Sequence, residues 1–276
     1  MLLQHFQHNL KANFSFLSPG NCKLLLAVSG GIDSVVLTDL LYKSGFDFMI
    51  AHCNFQLRGE ESFRDELFMT TLKEKYNKEV LIKQFNTKHY AEQNKISIQE
   101  AARELRYDWF EEIVNRQWPI VNDDPSNPTH YSPFSTHLIA IAHNADDNIE
   151  TMLMFLFRGT GIQGLTGIKA YDKERKIIRP LLFATRKQIA AYADEHNLDW
   201  VEDSSNLTDK YTRNFFRHNI IPAVEEHFTN AKQNLLENLE RFKDVEILYG
   251  QSIELHKKKL LAFKGNEVHI PILKLL

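Results

Sequence analysis

The order of apolar and polar positions predicts strands and helices in alternation. LLLAV at 24–28 is an unbroken apolar run, the pattern of a strand buried on both faces. Residues 34–43 fit a helix packing back on it. FDFMIAHCN at 46–54 predicts a second strand, ESFRDELFMTTLKEKY at 61–76 a helix, and EVLIKQF at 79–85 a third strand. SIQEAARELRYDWFEEIVNR at 97–116 predicts a long helix, with Ser97 as N-cap and Glu100 at the capping-box position. HLIAIAH at 137–143 is a fourth strand and 145–157 the next helix. KIIRPLL at 176–182 supplies a short fifth strand, and TRKQIAAYADEHN at 185–197 another helix. Short connections between alternating elements predict an α/β fold, an open, mostly parallel, doubly wound sheet.

Two stretches depart from this pattern. VNDDPSNPTHYSPFST at 121–136 holds three prolines and no periodicity, and predicts a surface loop. After about residue 220 the strand signals stop. Phe228, Leu235, Leu239, Phe242 and Leu248 fit one or two long helices. The predicted division is therefore 1–222 and a helical extension at 223–276. The closing KGNEVHIPILKLL reads as a turn and an apolar strand with no obvious neighbour. It points either to a missing later domain or to an edge strand returning to the main sheet.

Composition narrows the setting. Hydrophobic residues make up 43% and charged residues 25% of 276, ordinary values for a globular chain with a sizeable core. The formal net charge of −3 gives no global attraction to nucleic acid, so such contact must come from local patches. Cys22 and Cys53, the two cysteines, lack CxxC spacing, which excludes a disulfide framework and a four-cysteine zinc site and predicts a reducing, cytoplasmic setting. No apolar run approaches the roughly 20 residues that span a bilayer, so no membrane is expected.

SGGIDS at 29–34 is the sharpest chemical signal. A strand ending in a glycine-rich loop that opens a helix is a phosphate site. Gly30 and Gly31 permit a tight turn and close backbone approach, and Ser29 and Ser34 add hydroxyls. The loop lacks the lysine of GxxxxGK[ST], and GxGxxG is absent. Asp33 beside phosphates repels them unless a cation intervenes, which predicts Mg²⁺. His52 and Asn54 lie at the carboxyl end of the second strand, where open parallel sheets bind ligands. Arg58 follows, able to face phosphate or substrate. Arg103 and Arg106 share a helix face. In HNADDNIE, His143, Asp146 or Asp147, and Glu150 recur at helical spacing after a strand. Their mutual repulsion calls for the helix dipole, Mg²⁺ or an ammonium group. RGTGIQGLTG at 158–167 packs four glycines among Ile and Leu, the composition of a shaped loop. Residues 169–187 hold seven Lys/Arg against two acids, Arg213 and Arg217 stand four apart beside aromatics, and Lys257, Lys258 and Lys259 form a third basic cluster. Arg179, fixed before Pro180, is a candidate to point into a cleft.

SGGIDS resembles the SGGxDS pyrophosphate loop of the N-type ATP pyrophosphatases, or PP-loop proteins. HCNFQLRGEES (52–62), AARELRY (101–107), AHNADDNIETMLMFLFRGTGIQGLTG (142–167), IIRPLL (177–182) and WVEDSSNLTDKYTRNFFRHNIIP (200–222) resemble blocks of the tRNA(Ile)-lysidine synthases in the family's order. The resemblance implies an adenine nucleotide alpha hydrolase-like fold, with 1–222 as catalytic domain and 223–276 as a linker region leading to further domains. It implies ATP with Mg²⁺, an isoleucine tRNA with a CAU anticodon and free L-lysine as partners, and leaves a homodimer open. The wobble cytidine O2 would attack the α-phosphate, pyrophosphate would leave into the loop, and the lysine ε-amine would displace AMP. It sets His52 and Asn54 near adenosine, Arg103 near the cytidine or reacting phosphate, and His143, Asp147 and Glu150 in the catalytic cleft, the two acids holding the lysine amines. Asp146 is then the alternative helix anchor, and Arg158 and Gly159 sit where the family closes its cleft. Arg58, Arg106, Arg158, Arg179, Arg213 and Arg217 remain for substrate or tRNA. A tRNA thiolase, an ammonia or amide ligase of the same superfamily, and a non-catalytic tRNA-binding module are the alternatives. The isolated cysteines count against the first.

Overall fold

The computed structural model describes residues 1–116, 136–202, 212–265, 267–270 and 272. The elements in chain order begin α1 (Leu2–Asn13), β1 (Cys22–Ala27), α2 (Ile32–Lys43), β2 (Asp47–Asn54), α3 (Glu60–Tyr76), β3 (Val80–Gln84), α4 (Thr87–Asn94) and α5 (Ile98–Arg116). They continue with β4 (Thr136–Ala140), α6 (Ala145–Arg158), α7 (Ile162–Leu165), β5 (Tyr171–Asp172), β6 (Ile177–Ile178) and α8 (Arg186–Glu195). The last are α9 (Thr212–Phe215), a π-helical turn (Phe216–Ile220), α10 (Ile221–His227), α11 (Ala231–Leu260), β7 (Ala262–Lys264) and β8 (Glu267–His269).

The chain divides into two compact units. The first comprises Met1–Asp147 and Lys169–Leu207. Its sheet runs β3-β2-β1-β4-β6-β5, parallel throughout except for β5, which pairs antiparallel with β6. Alternation along β1 explains the unbroken apolar run. Leu24 and Leu26 join one core with Phe6, Val36, Leu40, Ile50 and Ile189, while Leu25 joins the other with Met49, Phe110, Ile113 and Ile139. The strand order reverses between β1 and β4, so a crevice opens outside the carboxyl ends of these two strands.

The second unit comprises Asn148–Ile168 and Thr208–Leu276. Its core joins Ile149, Met152 and Leu153 of α6 to Phe216, Ile221 and Leu239. This cluster is why the compact units differ from the 1–222 and 223–276 division. The apolar face of 149–153 is covered by residues after 212, so 148–168 belongs with the C-terminal helices. The expected C-terminal helix is present as α11, 30 residues long.

Several elements escaped the pattern reading. α1 and α4 were not foreseen, and the fifth strand is two residues flanked by an antiparallel partner. The strand expected near the end is neither lone nor an edge of the main sheet: β8 pairs antiparallel with β7 in a separate two-stranded sheet. The 121–136 loop lies outside the described residues up to Thr136, which opens β4. Among the described residues no helix is long and apolar enough to cross a membrane.

Candidate active site

The phosphate loop is built where β1 meets α2. Val28 continues the strand by donating to the Ala51 carbonyl at 3.0 Å, and Gly31 is the N-cap of α2. Gly30 has φ +93°, and a Cβ there would stand 2.5 Å from Val201 Cγ2. The Val201 N–H donates to the Gly30 carbonyl at 3.0 Å. Only glycine fits a left-handed position with Val201 packed over it. This explains two sequence blocks at once, since the start of WVED is the clamp on SGG. Ser34 Oγ donates to the Gly31 carbonyl at 2.8 Å and lies 3.4 Å from Ser29 Oγ. Ser29 Oγ in turn accepts from the Gly31 N–H at 3.3 Å. Ser34 is buried and braces the loop, whereas Ser29 is exposed. The first-turn amides of α2 make its N-terminus an anion-binding end.

Asn144 spans the strand-order reversal. It is 0% exposed, and its Nδ2 donates to Asp33 Oδ1 at 3.0 Å. It also caps α6 reciprocally: Asp147 N–H donates to Asn144 Oδ1 at 3.0 Å, and Asn144 N–H donates to Asp147 Oδ2 at 3.1 Å. Arg186 Nη2 donates to Asp147 Oδ1 at 3.2 Å, and the Arg186 N–H donates to Asp146 Oδ2 at 2.8 Å. The acids of ADD are thus compensated by backbone amides and a guanidinium. Asp147, rather than Asp146, is the capping acid of α6, because its position three residues after the N-cap aims it back at the Asn144 amide. Asp146 ties to the start of α8. Asp33 therefore stands at the start of α2 against the N-cap of α6, two helix N-termini at one crevice.

His143 and Arg179 meet beside it. Arg179 Nε donates to His143 Nδ1 at 3.1 Å, and Arg179 Nη1 donates to the Lys169 carbonyl at 2.7 Å. An arginine only donates, so Nδ1 is the acceptor and the neutral ring carries its proton on Nε2. Arg179 is 8% exposed, and burial pulls its pKa below the usual arginine value. Arg103 lies over the Tyr107 ring at 5.1 Å and Arg106 over Phe55 at 5.2 Å, so the two are stacked on different aromatics.

The second-strand residues have structural partners. His52 Nδ1 donates to the Val28 carbonyl at 2.9 Å, and burial lowers its pKa, so the ring is neutral with Nε2 as acceptor. Asn54 Nδ2 donates to Glu66 at 2.6 Å, while its Oδ1 accepts from the Gln56 N–H at 2.8 Å. Asn54 thus fixes the turn at Gln56, where φ is +53°. Arg58 reaches Glu61 and Asp65, each at 3.9 Å.

In the second unit Glu150 is 1% exposed. It accepts from Arg217 Nε at 2.8 Å and Nη2 at 3.1 Å, with Arg213 Nε at 3.6 Å. Arg213 Nη2 also donates to Thr151 Oγ1 at 2.7 Å. The carboxylate is thus held by two guanidinium groups from the segment carrying the π-helical turn. Arg158 is exposed at the end of α6. The glycine-rich loop folds into α7 and ends at Gly167, φ +70°, where the Ile168 N–H donates to Asn148 Oδ1 at 2.6 Å.

Asn144 and Arg186 are the site residues the pattern reading did not select. N-A-D-D before an apolar stretch was a readable capping signal for Asn144. Arg186, 39 residues from Asp147, had no local signal.

The chain is similar to known proteins along most of its length. The PP-loop domain profile matches residues 2–121 and 129–224. The chain is 43% identical to the tRNA(Ile)-lysidine synthase of Bacteroides thetaiotaomicron over 243 residues, covering 88% of this chain and 53% of the relative. It is 36% identical to that of Chlorobaculum tepidum, covering 90% of this chain and 71% of the relative. Against the Bacteroides protein and its Parabacteroides distasonis counterpart, covered to 53% and 50%, the chain spans about half the length of the curated relatives it matches. Among solved structures, a U34-tRNA thiolase from Methanococcus maripaludis shares the fold with a TM-score of 0.63 at 18% identity, covering 87% of this chain and 78% of that one.

Proposed function

The chain belongs to the tRNA(Ile)-lysidine synthase family of PP-loop proteins, and on that premise we propose that it joins free lysine to C2 of the wobble cytidine of an isoleucine tRNA at the expense of ATP, in the cytoplasm. The observation that carries the reading is the Asn144–Asp33 bond. It holds the phosphate loop against the start of α6, at the crevice where a parallel sheet takes its nucleotide.

The triphosphate lies against Ser29–Ser34, with the first-turn amides of α2 facing the β- and γ-phosphates. The cytidine O2 attacks the α-phosphorus, the bond to the bridging oxygen breaks, and pyrophosphate leaves into the loop. The lysine ε-amine then attacks C2, loses a proton, and AMP departs with the former O2. His143 presents Nε2–H, because Arg179 occupies Nδ1. In that tautomer it donates to developing negative charge and does not serve as the base. Asp147 is a better candidate than His143 to receive the ammonium.

Asp33 offers a hard carboxylate, and among the described residues no group of three or more metal-ligating side chains stands together. One carboxylate plus phosphate oxygens is a donor set suited to Mg²⁺ arriving with ATP. Bound there, the ion would neutralise phosphate charge, with Asp33 as its protein ligand. Sulfur transfer is disfavoured by the cysteines. Burial pushes the Cys22 thiol to about 11 and the Cys53 thiol to about 12, which keeps both protonated and unreactive at neutral pH.

The test is nucleotide release from ATP with an isoleucine tRNA transcript and lysine as the varied component. Pyrophosphate should require the tRNA, and AMP should require lysine as well. AMP release indifferent to lysine would overturn the reading.

A further inference from the structure

We infer that Tyr107 is the post of a phosphodiester-binding site, with Arg103, Arg175 and Arg179 as its cations, gripping the RNA backbone beside the reacting base. This deepens the proposed function and rests on its RNA substrate. The side chains come from three segments of the first unit: α5, the turn between β5 and β6, and the residue after β6. Arg103 Cζ stands 5.1 Å and Arg175 Cζ 5.4 Å from the Tyr107 ring centroid, and Arg179 is near enough to feel Tyr107 and Arg103 electrostatically.

Three guanidinium groups around one phenol repel one another, and Arg103 opposes the charge on Arg179. Asp172 is the acid that favours Arg179 there, and its Oδ1 also accepts the Arg175 backbone N–H at 3.2 Å. A fold that gathers cations around a neutral ring is prepared for an anion from outside. Stacking on an aromatic face leaves the N–H edges of a guanidinium free to fork onto two phosphate oxygens. Arg103 and Arg175 are exposed, whereas Arg179 is buried and bonded to His143. His143 adjoins Asn144, which holds Asp33. A run of bonded residues therefore leads from the phosphate loop to Arg179, whose charge Tyr107 and Arg103 face. A polyanion lying across Arg103 and Arg175 would bring its adjoining nucleotide to His143. Arg175 was embedded in a basic stretch of the sequence, and nothing there singled it out.

The experiment is a fluorescence-anisotropy titration of labelled isoleucine tRNA with the full chain at several KCl concentrations. Wild type is compared with Arg175→Gln and Arg175→Lys, with melting temperature and lysine KM measured alongside. Arg175→Gln should weaken binding about 5–10-fold at roughly 0.1 M salt and make the slope of log K against log[salt] shallower by about 0.7–0.9. Arg175→Lys should keep the slope and lose about 2–3-fold through weaker stacking. Melting temperatures should coincide, as expected for an exposed turn residue. An unchanged slope and affinity in Arg175→Gln, with wild type binding tRNA, would overturn this site and leave the proposed function standing. A rise in lysine KM with tRNA binding unaltered would also overturn it, by making the ligand a carboxylate. Failure of the wild-type chain to bind tRNA would overturn both.

Discussion

The phosphate-loop region of the first unit and the Glu150 cluster of the second both bury carboxylates, and they compensate them in opposite ways. Asp147, 8% exposed, is held mainly through helix-start geometry: a backbone amide and a reciprocal cap, with one guanidinium added. Glu150, 1% exposed, is held by the guanidinium groups of Arg217 and Arg213, 67 and 63 positions away. The first arrangement is local and rigid, because backbone amides cannot rotate away. The second depends on two long side chains arriving from a distant segment. A ligand competing for Asp147 must contend with one arginine and the end of a helix. A lysine amine competing for Glu150 must contend with a bidentate ion pair. On the proposed function, Asp147 is therefore the better placed of the two acids to meet a substrate amine.

The largest effect should come from the phosphate loop. Gly30→Ala places a Cβ against Val201 at φ +93°. The conformation alone costs about 1–2 kcal/mol, and displacement of the loop should lower ATP-dependent pyrophosphate release on the order of 100-fold. A variant with normal turnover would remove the clamp from the site.

Glu150→Gln tests the other side of the comparison. Losing the anion between Arg217 and Arg213 should cost roughly 2–3 kcal/mol, moderated because Arg217 is partly exposed, and should lower the melting temperature while Mg-ATP affinity holds. A stable variant whose lysine-dependent kcat/KM nevertheless falls on the order of 10–100-fold would restore Glu150 as a substrate-binding acid.

Asn144→Ala removes the α6 cap and the bond to Asp33, together about 1–2 kcal/mol, and should weaken Mg-ATP binding by about 10-fold. Asn144→Asp keeps the capping oxygen but sets an anion against Asp33. It should bind Mg-ATP less well than the alanine variant. The reverse order, measured by calorimetry, would show that the cap matters and the bridge does not.

The smallest effect concerns pH. His52 has a folded pKa below its ordinary 6.5, chiefly through burial. The unfolded chain therefore binds more protons in that window, and stability rises with pH up to about 6.5 and is lost as pH falls below it. Replacing His52 with Gln should flatten this part of the stability profile. A profile identical to wild type would mean that His52 does not titrate on unfolding there.

The sequence alone determined the parallel sheet, the phosphate loop and the start of α5. Each is written in neighbouring residues: an apolar run for a strand covered on both faces, glycines where φ must be positive, and Ser97 with Glu100 closing a capping box through bonds of 2.7–3.2 Å. The same locality made Asp147 readable as an acid at a helix start. Tertiary structure alone decided what each charge faces. Glu150 and Asp147 looked equivalent three residues apart, yet one meets Arg217 and the other Asn144 and Arg186. It also decided that 148–168 joins the C-terminal helices, because only folding brings Phe216 and Leu239 onto the apolar face of α6. Backbone preferences act over a few residues and leave a pattern in the string. Ion pairs and apolar clusters join residues far apart in the chain, and their partners are selected only when the chain packs.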